Sequence, residues 1–381
     1  EVRSISVSNG GAVYLGGAFT SLNAPSVVKN YAAAVSPTTG DAVTWNPDFN
    51  GPVNAVLHSG TTVTIGGEFT TVNGGRIGSR SAKVDETTGT ALSWNPSVNG
   101  TINTLAIVGH EVFIGGEFSS AGSFVPRPNA AAFDLVTGEL LDWNPSPNST
   151  VLAIAPRAAN NTIFLGGYFD KVNGSLDRKH AASVDATSGA ANAWNPSVDK
   201  VVYSIAVSES GPTAFLGGQF QSVNLPPTGT GVTRINAAAV DLVNGAVKAW
   251  DPKVNSIGTV VSIVAEPTRV FLGGYFTSAG GSTSSPFLAA VDPSTGLLSP
   301  SWTSPQIGSG VRAMTLNSGV LYVAGNLNSA GGMYRGRLAA IDALSGNVTG
   351  WNPNAYNSVN AIAVGRGAID SLIAVVGQVV L

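Results

Sequence analysis

The chain is 381 residues long, with 47 glycines, 21 prolines, no cysteine and only 11 % charged residues. A formal net charge of −3 gives no basic surplus to drive nucleic-acid binding, and the missing cysteines exclude disulfides, thiolate metal sites and cysteine nucleophiles together. No apolar run reaches the ~18 residues of a membrane-spanning helix. The apolar residues come in short bursts broken by Gly, Pro, Asn, Ser and Thr, the punctuation of a chain with many turns.

The chain begins at Glu1 rather than Met and opens with no signal-peptide pattern, as a processed chain or a fragment would. A first strand is expected over 2–7, followed by the phrase Leu15-Gly16-Gly17-Ala18-Phe19. That phrase returns as Ile65-Gly66-Gly67-Glu68-Phe69, Ile114-Gly115-Gly116-Glu117-Phe118, Leu165-Gly166-Gly167-Tyr168-Phe169, Leu216-Gly217-Gly218-Gln219-Phe220 and Leu272-Gly273-Gly274-Tyr275-Phe276, and more weakly as Val323-Ala324-Gly325-Asn326-Leu327. A spacing of about 50 residues is that of solenoids, propellers or arrays. A glycine pair inside a strand predicts the close approach of a neighbouring element.

Each copy reads as four short strands. A small-residue strand (53–57, 102–107, 151–155, 202–207, 260–264, 311–316) precedes the Gly-Gly strand, and a loop rich in Asn, Gly, Ser and Pro leads to a third (32–35, 82–84, 130–133, 181–184, 237–240, 288–291, 338–341). A turn of the form Asp-x-x-Thr-Gly follows, in which Asp bonds the backbone two residues on and Gly supplies a positive φ. The fourth strand ends in tryptophan, usually Trp-Asn-Pro: Trp45, Trp94, Trp143, Trp194, Trp250, Trp302 and Trp351. These are all the tryptophans of the chain, so none is left for a site outside the repeat.

Four short strands per unit and no capped helix predict an all-β fold, a β-propeller of four-stranded blades in one domain, 1–381. The units are expected at 2–52, 53–101, 102–150, 151–201, 202–259, 260–310 and 311–358, with a half unit at 359–381. The half unit leaves a seven- or eight-bladed ring open: an eighth blade completed upstream of Glu1, an extra pair docked on seven, or strands supplied by another copy.

The phrase Gly-Gly-x-Phe-Thr-x-Val-Asn-Gly, clearest at Gly66 to Gly74, together with Ala-Ala-x-Asp and Trp-Asn-Pro, resembles the delta-60 repeat. That repeat belongs to a domain-of-unknown-function β-propeller family of secreted and surface-anchored microbial proteins, and the resemblance covers essentially the whole chain. It implies the fold but assigns no activity. A weaker resemblance is to quinoprotein propellers, whose docking motif runs Ala-x-Asp-x-x-Thr-Gly-x-x-x-Trp. Ala132, Ala239, Ala290 and Ala340 match it, whereas Lys83 and Ser183 depart from it and each Trp falls one residue late. The resemblance implies that Trp packs between blades, and the cofactor ligands of that family have no counterpart here.

No cofactor and no catalytic or metal-binding set is expected. His58, His110 and His180 lie in different units and read as solvated loop histidines. The recurring aspartates Asp85, Asp134, Asp185, Asp241, Asp292 and Asp342 read as turn residues. Glu68 and Glu117 stand inside the Gly-Gly strand, where a carboxylate needs a partner, and the basic residues ahead of the third strands are the candidates. Ligand-facing loops are expected to carry Arg76, Arg80, Arg127, Arg178, Arg234, Arg335 and Tyr334; a ring of cations there would suit an anionic glycan. The insertion 225–235 falls in the same loop of the fifth unit. Candidate N-glycosylation sequons occur at Asn99, Asn148, Asn160, Asn173 and Asn347. Each Trp is expected to fill the wedge between blades against backbone bared by the Gly pair.

The functional expectation is a non-catalytic extracellular or cell-surface module for adhesion or assembly. Its partners would be a protein or glycan ligand, or further copies of itself joined through the half blade, without nucleic acid or a membrane span. The alternative is a propeller enzyme, glycan-active or quinoprotein-like, with its site at the axial mouth.

Overall fold

A computed structural model describes residues 2–354 apart from 8–11, 23–26, 37, 76–79, 208–210, 227–228 and 282–284; the half unit 359–381 lies outside the described residues. The described chain is all-β, with one short 3-10 turn at Ala158–Asn160. Seven antiparallel sheets follow one another, each three strands in sequence order. Sheet 1 is Val2–Val7, Val13–Gly17 and Ala32–Val35; sheet 2 is Val53–Ser59, Thr62–Gly67 and Ser81–Asp85; sheet 3 is Thr101–Val108, Glu111–Glu117 and Ala130–Asp134. Sheet 4 is Val151–Arg157, Thr162–Gly167 and Ala181–Asp185, and sheet 5 is Val202–Val207, Thr213–Gly218 and Ala237–Asp241. Sheet 6 is Val260–Glu266, Arg269–Gly274 and Leu288–Val291, and sheet 7 is Val311–Asn317, Val320–Gly325 and Leu338–Asp342.

The expected fourth strand is corrected. It shrinks to a single bridge per unit, such as Val35 with Ala42, Phe133 with Leu140 and Ile341 with Val348. In five units the carbonyls beyond the bridge are taken up by a cation fourteen or so residues earlier. Lys29 donates to Val43, Thr44 and Trp45 carbonyls, and Arg127, Arg178, Arg234 and Arg335 reach the carbonyls of Leu141, Asn192, Lys248 and Thr349 at 2.7–3.1 Å. The segment then leaves its sheet and carries the tryptophan to the next. The expected irregular loop contains a two-residue hairpin in five sheets, as at Lys171–Val172 with Leu176–Asp177, too short for any periodicity to reveal.

The tryptophans join the sheets. The indole N–H of Trp45, Trp94, Trp143, Trp194 and Trp250 donates to the carbonyl of the turn aspartate in the following sheet (Asp85, Asp134, Asp185, Asp241, Asp292) at 2.8–3.0 Å. Trp351, in the last unit, donates to Ser36, which holds that place in the first, at 3.1 Å. In all six units other than the second, each indole also stands edge-on to the aromatic residue of its own second strand within 5.3 Å, as Trp194 does to Phe164 and Trp351 to Tyr322; the sixth unit, with Trp302 on Phe271, is among them. It departs otherwise: Trp302 is followed by Thr303-Ser304-Pro305 instead of Asn-Pro, is 9 % exposed, and its buried N–H has no partner among the described residues.

The close approach expected at the glycine pair is present, but the element that approaches is a strand and not the tryptophan. A Cβ on the first glycine of the pair would meet the first strand of the next sheet: Gly66 would strike Ile102 and Gly166 would strike Val202, at 2.6 and 2.9 Å. A Cβ on the second would meet the carbonyl just ahead of its own first strand, 2.2 Å from Thr150 for Gly167 and 1.9 Å from Thr259 for Gly274. The Trp-Asn-Pro segment instead covers the turn glycine of the following sheet: Gly189 abuts Asn144 and Pro145, Gly245 abuts Asn195 and Pro196, and Gly40 of the first sheet abuts Asn352 and Pro353.

The turn aspartates are structural. Asp292 accepts from the N–H and hydroxyl of both Ser294 and Thr295, and these bonds, the Ser294 hydroxyl first, hold its carboxyl down to about 2. Asp85, Asp134 and Asp185 are lowered by the N–H three residues on, and Asp342 by the Ser345 hydroxyl. A carboxyl whose folded pKa lies below its unfolded value adds stability above the unfolded value and loses it as pH falls through the folded one. The midpoint of urea unfolding is therefore expected to hold from neutrality to about pH 4 and to drop between about pH 4 and pH 2. Asp292→Asn should flatten part of that drop; a midpoint constant to pH 2 would contradict the assignment.

Candidate functional site

The residues expected to face a ligand are mostly held by the backbone. Arg76 lies outside the described residues. Arg80 sits at φ 73° and donates to the Glu68 carbonyl. Arg127, Arg178, Arg234 and Arg335 each place a second guanidinium nitrogen on the carbonyl of the residue before, at 2.9–3.1 Å, besides the fourth-segment carbonyls. Burial lowers the Arg178 guanidinium from its ordinary value. These four are clamps across a loop, which corrects the expected ring of cations offered to an anion. Tyr334, paired with Ser329 in the two-residue hairpin of the seventh unit, is 68 % exposed.

The sequons divide. Asn99 and Asn148 accept two backbone N–H groups each from the loop of the next unit (Ser119 and Ser120; Asp170 and Lys171), the work that Asn50, Asp199 and Asn255 do at other junctions. Asn173 bonds Gly189 and Ala191 across the loop. These three thus have a structural use, and all five sequon asparagines are exposed. Of the histidines, His110 is exposed as expected. His58 is not: it is buried, its Nε2 is 2.5 Å from Glu86 Oε2, and its ring stacks on Tyr14. Its turn packs into the seam between sheets 1 and 2, which a single unit's pattern does not show. His180, at φ 62°, faces the Gly167 carbonyl, and burial lowers its pKa. Glu117 is exposed at its strand end, so the expected buried carboxylate is corrected there.

A different set of residues converges at one end of the first strands. In every sheet the pairing of first and second strand slips by one residue near that end, between Val53 and Ala55, Val151 and Ala153, Val202 and Ser204, and their equivalents. A bulge leaves one residue unpaired and re-aims its side chain. The bulged positions include Asn54, Asn103, Leu152, Tyr203 and Val261, all buried, and Arg312, half-buried. Leu152, Tyr203 and Val261 belong to one apolar cluster with Tyr275 packed against it.

Above them stands the residue that follows each glycine pair: Ala18, Glu68, Glu117, Tyr168, Gln219, Tyr275 and Asn326. Its N–H is fixed to a carbonyl ahead of its own first strand, as Glu68 to Pro52, Tyr168 to Thr150, Gln219 to Val201, Tyr275 to Thr259 and Asn326 to Gly310, at 2.8–3.1 Å. The side chains reach the bulged residues of the next sheet. Tyr168 Oη lies 3.5 Å from Tyr203 Oη with the rings edge-on. Tyr275 accepts from Arg312 Nε and, at 3.2 Å, from Asn326 Nδ2, while the guanidinium lies 5.6 Å from the Tyr275 ring centre. Burial and then the Tyr168 hydroxyl raise the Tyr203 phenol far above its ordinary value, so it stays a neutral donor. The signal for this set in the sequence is variation: two positions that vary among the copies, beside neighbours that repeat.

Among the described residues no group of three or more His, Cys, Asp or Glu is placed to hold a metal, and no helix is long and apolar enough to cross a membrane. No protein-family model and no curated protein matches the sequence. Among solved structures, the chain is similar to the computationally designed Ika8 protein, with a TM-score of 0.57 and 15 % identity over 99 % of this chain and 93 % of that one. At this identity the likeness is one of fold alone.

Proposed function

We propose that the seven sheets close into a seven-bladed β-propeller, a non-catalytic extracellular or cell-surface module that binds a protein or glycan or builds an assembly. The observation that carries the reading is the junction of the last sheet with the first. Trp351 on Ser36, and Pro353 over Gly40, repeat the two contacts that link consecutive sheets elsewhere. Seven units then suffice for closure, and the bulged ends of the first strands surround one mouth of the axis.

The non-catalytic part is supported by how the ionisable groups are used: turn carboxylates bond their own turns, and loop cations bond carbonyls. The location outside the cell is supported by composition alone, low in charge and rich in Asn, Ser and Thr. A glycan-active enzyme is the second reading, favoured by Glu68 and Glu117 at equivalent places of adjacent sheets, since glycoside cleavage uses two carboxyls. A panel of polysaccharides and dye-linked oxidation assays separates the two. The expectation is no turnover; product formation abolished by Glu117→Gln would overturn the binding-module reading.

A further inference from the structure

We infer that the mouth formed by the bulged ends is a binding site for a neutral oligosaccharide. The inference rests on the binding-module reading and names the ligand class. A sugar has apolar faces of C–H groups and an equator of hydroxyls, so its site needs exposed aromatic rings beside planar polar side chains. The rim supplies both. Tyr168 is 43 % exposed, and Tyr275 stands two sheets on; Glu68, Glu117, Gln219 and Asn326 are carboxylates and carboxamides that take neighbouring hydroxyls in pairs.

Leu152, Tyr203 and Val261 supply a buried apolar floor, beside the buried amides of Asn54 and Asn103 in the preceding sheets. The rim backbone is fixed by the N–H bonds to the linker carbonyls, so little ordering remains for binding to impose. Charge gives no pull toward an anionic ligand: among the described side chains two carboxylates stand on the rim, and the Arg312 guanidinium is already engaged by Tyr275.

The test is titration calorimetry of the full chain with laminarihexaose, cellohexaose, xylohexaose and mannohexaose, and with hexagalacturonate as the acidic comparator. Saturable binding of at least one neutral hexaose is expected. Tyr168→Ala, at an exposed position, should weaken it roughly fivefold to tenfold, the loss of one stacking contact. Tyr334→Ala, on the outer hairpin, should leave it unchanged. No heat with any neutral hexaose, preference for hexagalacturonate, or binding insensitive to both Tyr168→Ala and Gln219→Ala would overturn the inference. Binding lost only in Tyr334→Ala would move the site to the hairpins and leave the module reading standing. Shortened oligosaccharides after incubation would overturn that reading while leaving the rim as the site.

Discussion

Trp194→Ala is expected to lower stability by about 3–5 kcal/mol, the range for truncating a buried large aromatic residue. Trp194 is 1 % exposed, stands edge-on to Phe164 at 5.0 Å, and donates to the Asp241 carbonyl of the next sheet. Truncation removes the packing of one seam and one of the two donors to the Asp241 carbonyl, the Gly245 N–H remaining. The phenylalanine variants separate the two contributions. Trp194→Phe keeps most of the packing and should cost about 1–2 kcal/mol for the lost hydrogen bond. Trp302→Phe should be near neutral, because the Trp302 N–H has no partner to lose. Urea unfolding of the three variants provides the comparison; equal costs for the two phenylalanine variants would show that the inter-sheet bond contributes nothing.

Gly167→Ala is expected to be as damaging, by about 3 kcal/mol or more, through overpacking against backbone. The new Cβ would lie 2.2 Å from the Thr150 carbonyl oxygen, and that carbonyl is fixed by the Tyr168 N–H. Neither group can move without undoing the bulge beside it. Gly174→Ala is the control. It has φ of +82° but nothing within 4 Å of the added carbon, so only the backbone preference is lost, about 1 kcal/mol. The midpoint of thermal unfolding for both variants decides the matter, and a Gly167→Ala protein as stable as Gly174→Ala would contradict the role given to the glycine pair.

Much of the fold was legible because the repeat states it seven times. The Gly-Gly strand, the Asp-turn and one tryptophan per unit each carry a local physical requirement, and each stands where the spacing puts it. The fourth strand was over-read. Its residues look like a strand, but whether the ladder continues depends on Arg178 reaching Asn192 and its counterparts doing likewise, a bond across a loop that local pattern does not contain. The same reach explains why the loop cations were taken for ligand-facing groups. His58 was misjudged because its partners, Tyr14 and Glu86, lie 44 and 28 residues away in sequence. The rim was hidden for another reason. Tyr203 sits in an apolar run and reads as core until the one-residue slip after Val202 turns it toward Tyr168. A bulge is a property of two strands together, so one strand's sequence does not announce it.

Closure of the ring is tested most directly by a distance. The chain has no cysteine, so pairs of introduced cysteines can be spin-labelled without background. Thr38, Val136, Thr187 and Leu344 hold the same exposed place in the turns of sheets 1, 3, 4 and 7. Electron–electron double resonance on Thr38→Cys with Leu344→Cys, and on Val136→Cys with Thr187→Cys, compares the seventh-to-first junction with an ordinary adjacent pair. Matching distance distributions are the prediction of a seven-bladed ring. A distribution displaced by about a further blade's width or more, with the adjacent pair unchanged, would mean that the ring is open or that other strands fill the gap between the last sheet and the first.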